Sequence, residues 1–378
     1  MLDSNDPTRN LCLFSEGCDC YKGVHFPFVD PAEIRFVKGD CYNPNRINTP
    51  TCKDSEIGAF MEEVGGLNFD TQLSNGVYTL PPYIPTLDYR SRTFRSFNQK
   101  HYPVVAITLQ DILRSGGVVK KAGALHEHKL EFRLSVLLGP AFRRKKTILF
   151  LTGPDTLIEW VWYQKNEIKL FQALAAMGFY AVVGFNFSVI DGECPWSHAF
   201  AQKKSLVSSQ LAEAAGLRVI PHVYATNEYH VARYVEWFEK NPNTKIFAVN
   251  CQLQDRPEDV ATLIHNVNEI LKQVAYLHVI LQGVKINHLP QFGDYLPRIH
   301  IAEKSPIKDA QFGKKLDLSL ESLCLKRTWK RSGETIEQLA FHNVNYRKAY
   351  FELLRQEHVE SYEASPLMIE ELLSPIRF

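Results

Sequence analysis

The sequence lacks the short motifs that identify many nucleotide-dependent enzymes and hydrolases. It contains no Walker loop, no dinucleotide-binding glycine fingerprint and no nucleophile elbow. No apolar run approaches the length of a membrane span, and Met1–Asn10 has neither a basic start nor the hydrophobic core of a signal peptide. We therefore expect a cytoplasmic protein that does not associate with membranes, and its chemistry must be inferred from the arrangement of its elements.

An excess of charge of one sign is also missing. The 43 basic and 42 acidic residues give a formal net charge of +1, so no global field draws the protein to nucleic acid or to a membrane. Any basic surface must therefore be local. Hydrophobic residues make up 45% of the 378 residues, which argues against disorder and allows either one large barrel or two ordinary domains.

The stretch from Gly178 to Lys304 alternates short apolar runs with amphipathic helical patterns. The runs are Tyr180–Phe187, Leu217–Tyr224, Lys245–Gln252, Leu277–Gln282 and Arg298–Glu303. The clearest helical pattern begins at Pro257, and its apolar residues recur every three or four positions as far as Val274. Strands and helices in strict alternation indicate a parallel sheet with crossover helices.

Two further runs, Pro103–Leu109 and Thr147–Leu151, bring the predicted parallel strands to seven. An eighth strand, Ala32–Val37 or another part of the early chain, would close a TIM-type (β/α)8 barrel, with an open doubly wound sheet as the alternative. We predict an α/β protein in which residues 101–313 form the barrel. Residues 1–100 would be a loop-rich, cysteine-containing N-terminal extension, and residues 314–378 a helical C-terminal tail.

Polar residues gather at the ends of these predicted strands, where ligands bind in parallel sheets. Amides offer both a donor and an acceptor, which suits them to read the edge of an extruded nucleobase. For any one of them a hydrogen-bonded strand end or helix cap is the alternative, so only their shared position indicates a site. The predicted substrate-binding residues are Asn186, Ser188, Tyr224, Asn250, Gln252 and Gln282.

Five of the eight cysteines lie in the N-terminal extension, at Cys12, Cys18, Cys20, Cys41 and Cys52. Thiolates are good ligands for zinc or an iron–sulfur cluster, and a metal could hold together a segment that has little core of its own. The spacing matches no standard finger, and Cys18 and Cys20 are too close for the common paired knuckle. Reduced, unligated cysteines are therefore the alternative to a bound metal.

Basic and aromatic residues interleave between Tyr89 and Tyr102. Phe94 and Phe97 could stack on bases while the cations, Arg90, Arg92, Arg95 and Lys100, contact phosphates. A solvated loop whose aromatic side chains pack back on the barrel is the alternative interpretation. A second basic cluster, Lys326–Arg331, lies in the predicted tail, which could cover one end of the barrel or bind a partner protein.

The last two predicted strands carry a resemblance to a known family. Leu277–Gly283, the helical pattern Leu289–Leu296, and Arg298–Pro306 followed by Ala310 and Gly313 resemble the end of a tRNA-guanine transglycosylase barrel. DNA-directed relatives, which insert 7-deazaguanines into phage and bacterial DNA, are similar. A second resemblance, through Gly153, Asn186–Ser188 and Val219–Pro221, is to uncharacterised bacterial and phage proteins known only as a domain of unknown function.

The resemblance implies base exchange on DNA or tRNA at a glycosidic bond. In the family an aspartate of the last strand attacks the sugar, but gapless spacing puts Ala302 at that position. Glu303 stands one residue later and would face the other side of the strand unless a bulge re-aims it. The family's zinc pattern after the barrel is also absent, since Cys324 stands alone there.

If the chemistry holds, Glu303 attacks the anomeric carbon, and Asp155 or His222 moves protons on the departing base. His222 is equally readable as a buried histidine bonded to a neighbour. Two other functions remain open. One is a different barrel hydrolase acting on a nucleotide or sugar, and the other is a binding subunit that has lost the nucleophile and holds nucleic acid or a partner protein.

Overall fold

The computed structural model describes residues 63–74, 79–87, 102–113, 125, 127–144, 146–166, 168–189, 195–252, 254, 256–319, 324–330 and 332–357. Ten strands lie in these ranges. They are β1 Tyr83–Pro85, β2 Val104–Thr108, β3 Lys146–Phe150, β4 Ala181–Val183, β5 Val219–Ile220, β6 Ile246–Asn250, β7 His278–Gln282, β8 Ile299–Glu303, β9 Lys314–Ser319 and β10 Cys324–Trp329.

The helices follow the strands in the predicted alternation. They are α1 Leu109–Leu113, α2 Glu127–Leu138, α3 Asp155–Gln164, α4 Leu170–Ala176, α5 Pro195–Ala214, α6 Glu228–Lys240, α7 Pro257–Gln273, α8 Ser305–Gln311 and α9 Ile336–Glu357. Two 3-10 segments, Phe142–Arg144 and Ile286–Arg298, stand between β-strands. None of the helices within the described ranges is both long and apolar enough to cross a membrane.

Two four-stranded parallel sheets form the centre of the molecule. Their strand orders are β1-β8-β7-β6 and β2-β3-β4-β5. Parallel bridges join the edges of the two sheets, one between Thr86 and Ala106 and the other between His222 and Ala248. Backbone hydrogen bonds accompany both bridges, from Leu87 to Ala106 at 2.8 Å and from Val223 to Ala248 at 2.9 Å. The predicted α/β class with parallel strands is therefore confirmed.

Strand β1 comes from a segment whose prolines favoured turns and extended chain. Tyr83 and Pro85 pair with β8, and the N–H of Thr86 donates to the Glu303 carbonyl at 2.8 Å. Proline is tolerated here because successive residues of a strand direct their N–H groups to opposite sides, so the bond to β8 comes from Thr86 and needs no donor at Pro85. The strand lies within the range predicted as an N-terminal extension, whereas Ala32–Val37 is outside the described residues.

Side chains of the two sheets point alternately to two separate cores, as strand geometry requires. The inner core contains Ile84, Val104, Ala106, Ile148, Phe150, Ala181, Val183, Ile220, Ile246, Ala248, Ile280 and Ala302, so each of β1–β8 contributes to it. The other core lies between strands and helices and includes Ile107, Leu149, Val182, Val279 and Ile301. Each fully buried aliphatic side chain stabilises the fold by about 1.5–3 kcal/mol.

Residues 63–74 run across the outside of the helical layer. Asn241 at the end of α6 accepts the N–H of Leu73 at 2.8 Å, and the indole of Trp237 donates to the carbonyl of Thr71 at 3.0 Å. Lys203 of α5 pairs with Asp70 in the same segment. Side chains of α5 and α6 thus satisfy backbone groups of a segment that has no ladder of its own.

The C-terminal region begins with an antiparallel ribbon, β9 paired with β10, before the predicted helix. The side chain of the fully buried Asn343 of α9 accepts the N–H of Leu316 at 2.8 Å and donates to the carbonyls of Pro306 and Lys314. One amide therefore ties α9 to α8 and to the ribbon. The range predicted as a helical tail therefore contains the helix α9 and, before it, two strands at residues 314–319 and 324–329.

Candidate functional site

A cavity of about 530 Å³ opens at the carboxyl ends of the parallel strands. Among the described residues, its lining combines five amide and four hydroxyl side chains with one carboxylate and one lysine. The lining comprises Thr108, Gln110, Thr152, Gly153, Pro154, Asp155, Asn186, Ser188, Val189, Tyr224, Asn250, Gln252, Gln254 and Lys304. Ligands of parallel α/β folds bind at this end of the strands. Six of the residues predicted for the site are in the lining, namely Asp155, Asn186, Ser188, Tyr224, Asn250 and Gln252, whereas His222, Gln282 and Glu303 are not.

Asp155 provides the carboxylate of the cavity. It is the first residue of α3, follows Pro154 at the N-cap, and is placed where the helix dipole favours a negative charge. The Ser188 hydroxyl donates to Asp155 Oδ1 at 2.6 Å, which links the turn after β3 to the turn after β4. Gly153 precedes this turn, and a Cβ there would lie 3.2 Å from Leu157 Cδ2, so a larger residue would crowd α3.

Serines of α5 hold the end of β4, which carries Asn186 and Ser188 into the cavity. The N–H of Phe185 donates to Ser208 Oγ at 3.1 Å, and the hydroxyl of Ser205 donates to the Phe185 carbonyl at 2.6 Å. A Cβ at Gly184 would overlap the side chain of Ser209. Glycine at this position thus permits the close approach of strand and helix that positions the two cavity residues.

His222 lies behind the cavity wall, outside its lining. Its Nε2 accepts the backbone N–H of Asn250 at 3.2 Å, so the imidazole fixes the strand end that bears the Asn250 amide. Complete burial lowers the pKa of His222 to about 3. Because the ring stays neutral near pH 7, the predicted role of His222 as a proton-transfer group is not supported, and the alternative of a buried histidine bonded to a neighbour fits the contacts.

Four other predicted residues have defined partners. The side-chain amide of Gln254 donates to the Tyr224 hydroxyl at 2.7 Å, and Asn250 Oδ1 accepts the N–H of Gln252 at 3.0 Å. Gln282 is buried beneath the cavity, where its Nε2 donates to Thr152 Oγ1 at 3.1 Å and its Oε1 has no hydrogen-bond partner among the described residues. The cavity therefore has a hydrogen-bonded polar floor.

Glu303, the predicted nucleophile, does not line the cavity that contains Asp155. Glu303 is 3% exposed and faces the helical layer, where Arg347 of α9 donates to its two carboxylate oxygens at 2.7 and 3.1 Å. Strand β8 pairs in regular register with β1 and β7, so no bulge turns the carboxylate inward. Alternation sends Ala302 to the inner core and Lys304 to the cavity.

Charge and burial act together in the layer behind β8. Burial alone would lower the pKa of Arg347, but the charge and hydrogen bonds of Glu303 outweigh it and raise that pKa. Burial, followed by the charge of Glu303, raises the pKa of Tyr83 well above its usual value. Glu303 and Arg347 therefore form a buried ion pair that joins α9 to the sheet.

Several lining residues were not predicted as site residues, namely Thr108, Gln110, Thr152, Gln254 and Lys304. A signal for some of them was present in the sequence. Thr108, Thr152 and Lys304 each stand two residues after an inner-core residue, Ala106, Phe150 and Ala302 respectively, so strand alternation puts them on the same face. Gln110 and Gln254 lie beyond strand ends, where alternation gives no prediction.

The predicted metal and phosphate contacts fall outside the described residues. These are Cys12, Cys18, Cys20, Cys41 and Cys52, and also Arg90, Arg92, Arg95 and Lys100. In the described ranges, no three histidine, cysteine or acidic side chains come together as metal ligands. Zinc or iron–sulfur binding therefore stays a prediction for the N-terminal cysteines.

Comparison of the chain with protein-family models gives no match, and comparison with curated proteins gives none either. The resemblance to transglycosylases therefore assigns no family, and function must be inferred from the cavity itself.

Proposed function

We propose that the two sheets form one closed (β/α)8 barrel. The two bridges at the sheet edges support closure, because they link β1 to β2 and β5 to β6 and leave each of the eight strands with two neighbours. The inner core supports it as well, since every one of the eight strands contributes to it. Closure removes sheet edges and gathers all strand ends around one mouth.

The proposed ligand of that mouth is a nucleoside unit. The observation that carries this proposal is the lining, in which neutral donors and acceptors far outnumber charged groups. Asn186, Asn250 and Gln252 can each pair with the polar edge of a base. A volume of about 530 Å³ lies in the range of small-molecule sites. A ligand with many hydrogen-bonding groups and little charge fits this lining better than a phosphate or a dicarboxylate.

The proposed reaction is cleavage of the bond between base and sugar. Asp155 takes a proton from water as the water oxygen bonds to the anomeric carbon and the carbon–nitrogen bond breaks. The Lys304 ammonium gives a proton to the departing base, and solvent returns the proton from Asp155 to Lys304. Asp155 thereby takes the carboxylate function that the sequence suggested for Glu303, as a general base rather than as a covalent nucleophile.

The test is release of free base from a panel of ribonucleosides and deoxyribonucleosides, followed by chromatography. Asp155→Asn should lower the rate by about 10²–10⁴-fold, the usual contribution of a general base. Asp294→Asn, which changes an exposed carboxylate outside the cavity lining, is the matched control and should keep the rate. Equal rates for the two variants would refute the assignment of Asp155.

A second candidate function is binding without catalysis. It is favoured by the single carboxylate in the described lining, because most glycoside-cleaving enzymes use two. Calorimetric titration with the same nucleosides separates the two functions. Saturable binding without base release would identify a binding subunit, and the absence of any binding would contradict both proposals.

A further inference from the structure

A row of cations and aromatic side chains leads away from the cavity along α8. Lys304 lines the cavity and is the N-cap of α8. The N–H of Lys308 donates to the Lys304 carbonyl at 3.0 Å, and that of Phe312 donates to the Lys308 carbonyl at 3.3 Å. Because residues four apart share a helix face, these three side chains follow one side of α8 from the cavity outward.

The ribbon continues this row beyond the end of α8. The N–H of Lys330 donates to the Gly313 carbonyl at 2.8 Å, and Trp329 lies directly opposite Lys314 in the β9–β10 ladder. Directly opposed residues of a ladder project from the same face of the ribbon. We call the surface formed by Lys304, Lys308, Phe312, Lys314, Trp329 and Lys330 the α8 stripe.

The aromatic residues of the α8 stripe are exposed. Trp329 is 74% and Phe312 59% exposed, although side chains of this size are usually packed away from water. The neighbouring cations Arg327 and Lys315 pair with Asp309 and Glu334. By contrast, Lys308, Lys314 and Lys330 form no ion pair with any described residue. Among the described residues, the stripe thus presents positive charge without an acidic partner beside exposed aromatic rings, on a chain whose net charge is only +1.

We infer that the α8 stripe binds a single-stranded nucleic acid whose unpaired base enters the cavity. Phosphates are attracted by lysines, and bases stack on exposed aromatic faces without sequence preference. From Lys304 to Phe312 the helix rises about 12 Å, so the stripe is long enough to contact more than one nucleotide of a strand. The inference rests on the proposed function only for the base in the cavity, since the contacts along the stripe do not require any reaction.

The position of Trp329 favours a nucleic acid over an anionic membrane. Trp329 pairs with the first residue of β9 and is therefore at the base of the ribbon, next to α8. A membrane-inserting tryptophan would be expected at a protruding tip, whereas a nucleic-acid strand that follows α8 away from the cavity would reach Trp329. An acidic peptide would match the lysines and leave the two ring faces without a stacking partner.

The experiment titrates short fluorescent oligo(dT) and oligo(U) strands into the full chain and follows their anisotropy. Trp329→Ala should weaken binding by about five- to 150-fold, the range for loss of one base stack. The control Phe132→Ala, which removes an aromatic residue of α2 that is 68% exposed, should leave binding unchanged. Binding of either strand supports the inference.

The salt dependence gives a second readout. Lys308→Gln and Lys330→Gln should each reduce the slope of log affinity against log salt by about one. Lys272→Gln, an exposed lysine on α7, is the matched control and should keep the slope. A slope that none of these changes alters would contradict phosphate contacts along the stripe.

Free nucleosides and anionic vesicles are titrated in parallel. If nucleosides bind and oligonucleotides bind no more tightly, the inference is overturned while the proposed function survives. If oligonucleotides bind through Trp329 and nucleosides do not bind at all, the stripe is confirmed and the proposed function of the cavity fails. Binding to phosphatidylserine vesicles or to a poly-glutamate peptide in place of either strand also overturns the inference.

Discussion

The mouth of the cavity and the layer between β8 and α9 use carboxylates in opposite ways. At the mouth, Asp155 is partly exposed, begins a helix and accepts a hydrogen bond from a neutral hydroxyl. Behind β8, Glu303 is buried and fully paired with Arg347. A carboxylate that is open to the cavity can meet a ligand, whereas one enclosed by its partner stabilises the structure. Burial and partners, not the proximity of a residue to a strand end, separate these two roles.

Removing Arg347 should give the largest effect on stability. Arg347→Met leaves Glu303 buried without its counter-charge and should lower the free energy of unfolding by about 3–5 kcal/mol. Urea denaturation followed by circular dichroism measures this change. Lys348→Met, at a partly exposed lysine of the same helix that pairs loosely with Glu352, should cost no more than about 1 kcal/mol. Similar losses for the two variants would contradict a structural role for the Glu303–Arg347 pair.

A smaller loss of stability is expected at acidic pH, because buried histidines lie at both ends of the parallel strands. Burial lowers the pKa of His222 to about 3 and that of His300 to about 4. Folding therefore favours the neutral rings. Their stabilisation is fully present above the unfolded value of about 6.5 and is lost as the pH falls toward 4 and 3. As the pH falls from 6.5 to 5, each histidine should lower the free energy of unfolding by about 2 kcal/mol.

Urea unfolding across this pH range measures the loss. The two histidines should produce a slope in the free energy of unfolding against pH, and His222→Gln should remove about half of it. His265→Gln, at an exposed histidine of α7, should leave it unchanged. A stability that does not vary between pH 5 and 7 would show that the two buried histidines are not held neutral.

The smallest predicted effect concerns a hydroxyl at the mouth. Tyr224→Phe removes the acceptor of the Gln254 side-chain amide and should cost about 0.5–1.5 kcal/mol of stability. It should also weaken nucleoside binding several-fold, because Gln254 loses its orientation. Tyr276→Phe breaks a comparable bond to the Phe238 carbonyl away from the cavity. The Tyr276→Phe control should lower stability without weakening nucleoside binding. A loss of binding in both variants would contradict a specific role for Tyr224 at the cavity.

Local patterns in the sequence predict most of the fold. Seven parallel strands follow from apolar runs, and the strand at Ile246–Asn250 lies within the predicted Lys245–Gln252. The eighth, Tyr83–Pro85, carries prolines that favour turns, and it becomes a strand because β8 supplies the pairing partner. Such a long-range contact leaves no local signal. For the same reason, the buried pairing of Glu303 with a residue 44 positions away could not be read from the sequence.

The candidate site was predicted in part. Strand-end polarity identified Asp155, Asn186, Ser188, Tyr224, Asn250 and Gln252, all of which line the cavity. The same polarity also selected His222, whose Nε2 instead accepts the backbone N–H of Asn250 in the neighbouring strand. That contact depends on the position of the neighbouring strand. Glu303 was predicted as the nucleophile because it is a carboxylate next to Ala302, the position of the nucleophile in transglycosylases. Strand alternation instead directs its side chain away from the cavity. The side of the strand was predictable from alternation alone, but the absence of a bulge was not.

A parallel measurement of Asp155→Asn and Glu303→Gln tests most directly whether the two carboxylates have the different roles assigned to them. Base release is normalised to the folded fraction, and the free energy of unfolding is measured on the same samples. Asp155→Asn should lose base release while its unfolding free energy falls by no more than about 1 kcal/mol. Glu303→Gln should lose about 3–5 kcal/mol of stability and keep the rate per folded molecule. The opposite pattern, in which Glu303→Gln is stable and inactive while Asp155→Asn is active, would contradict the account.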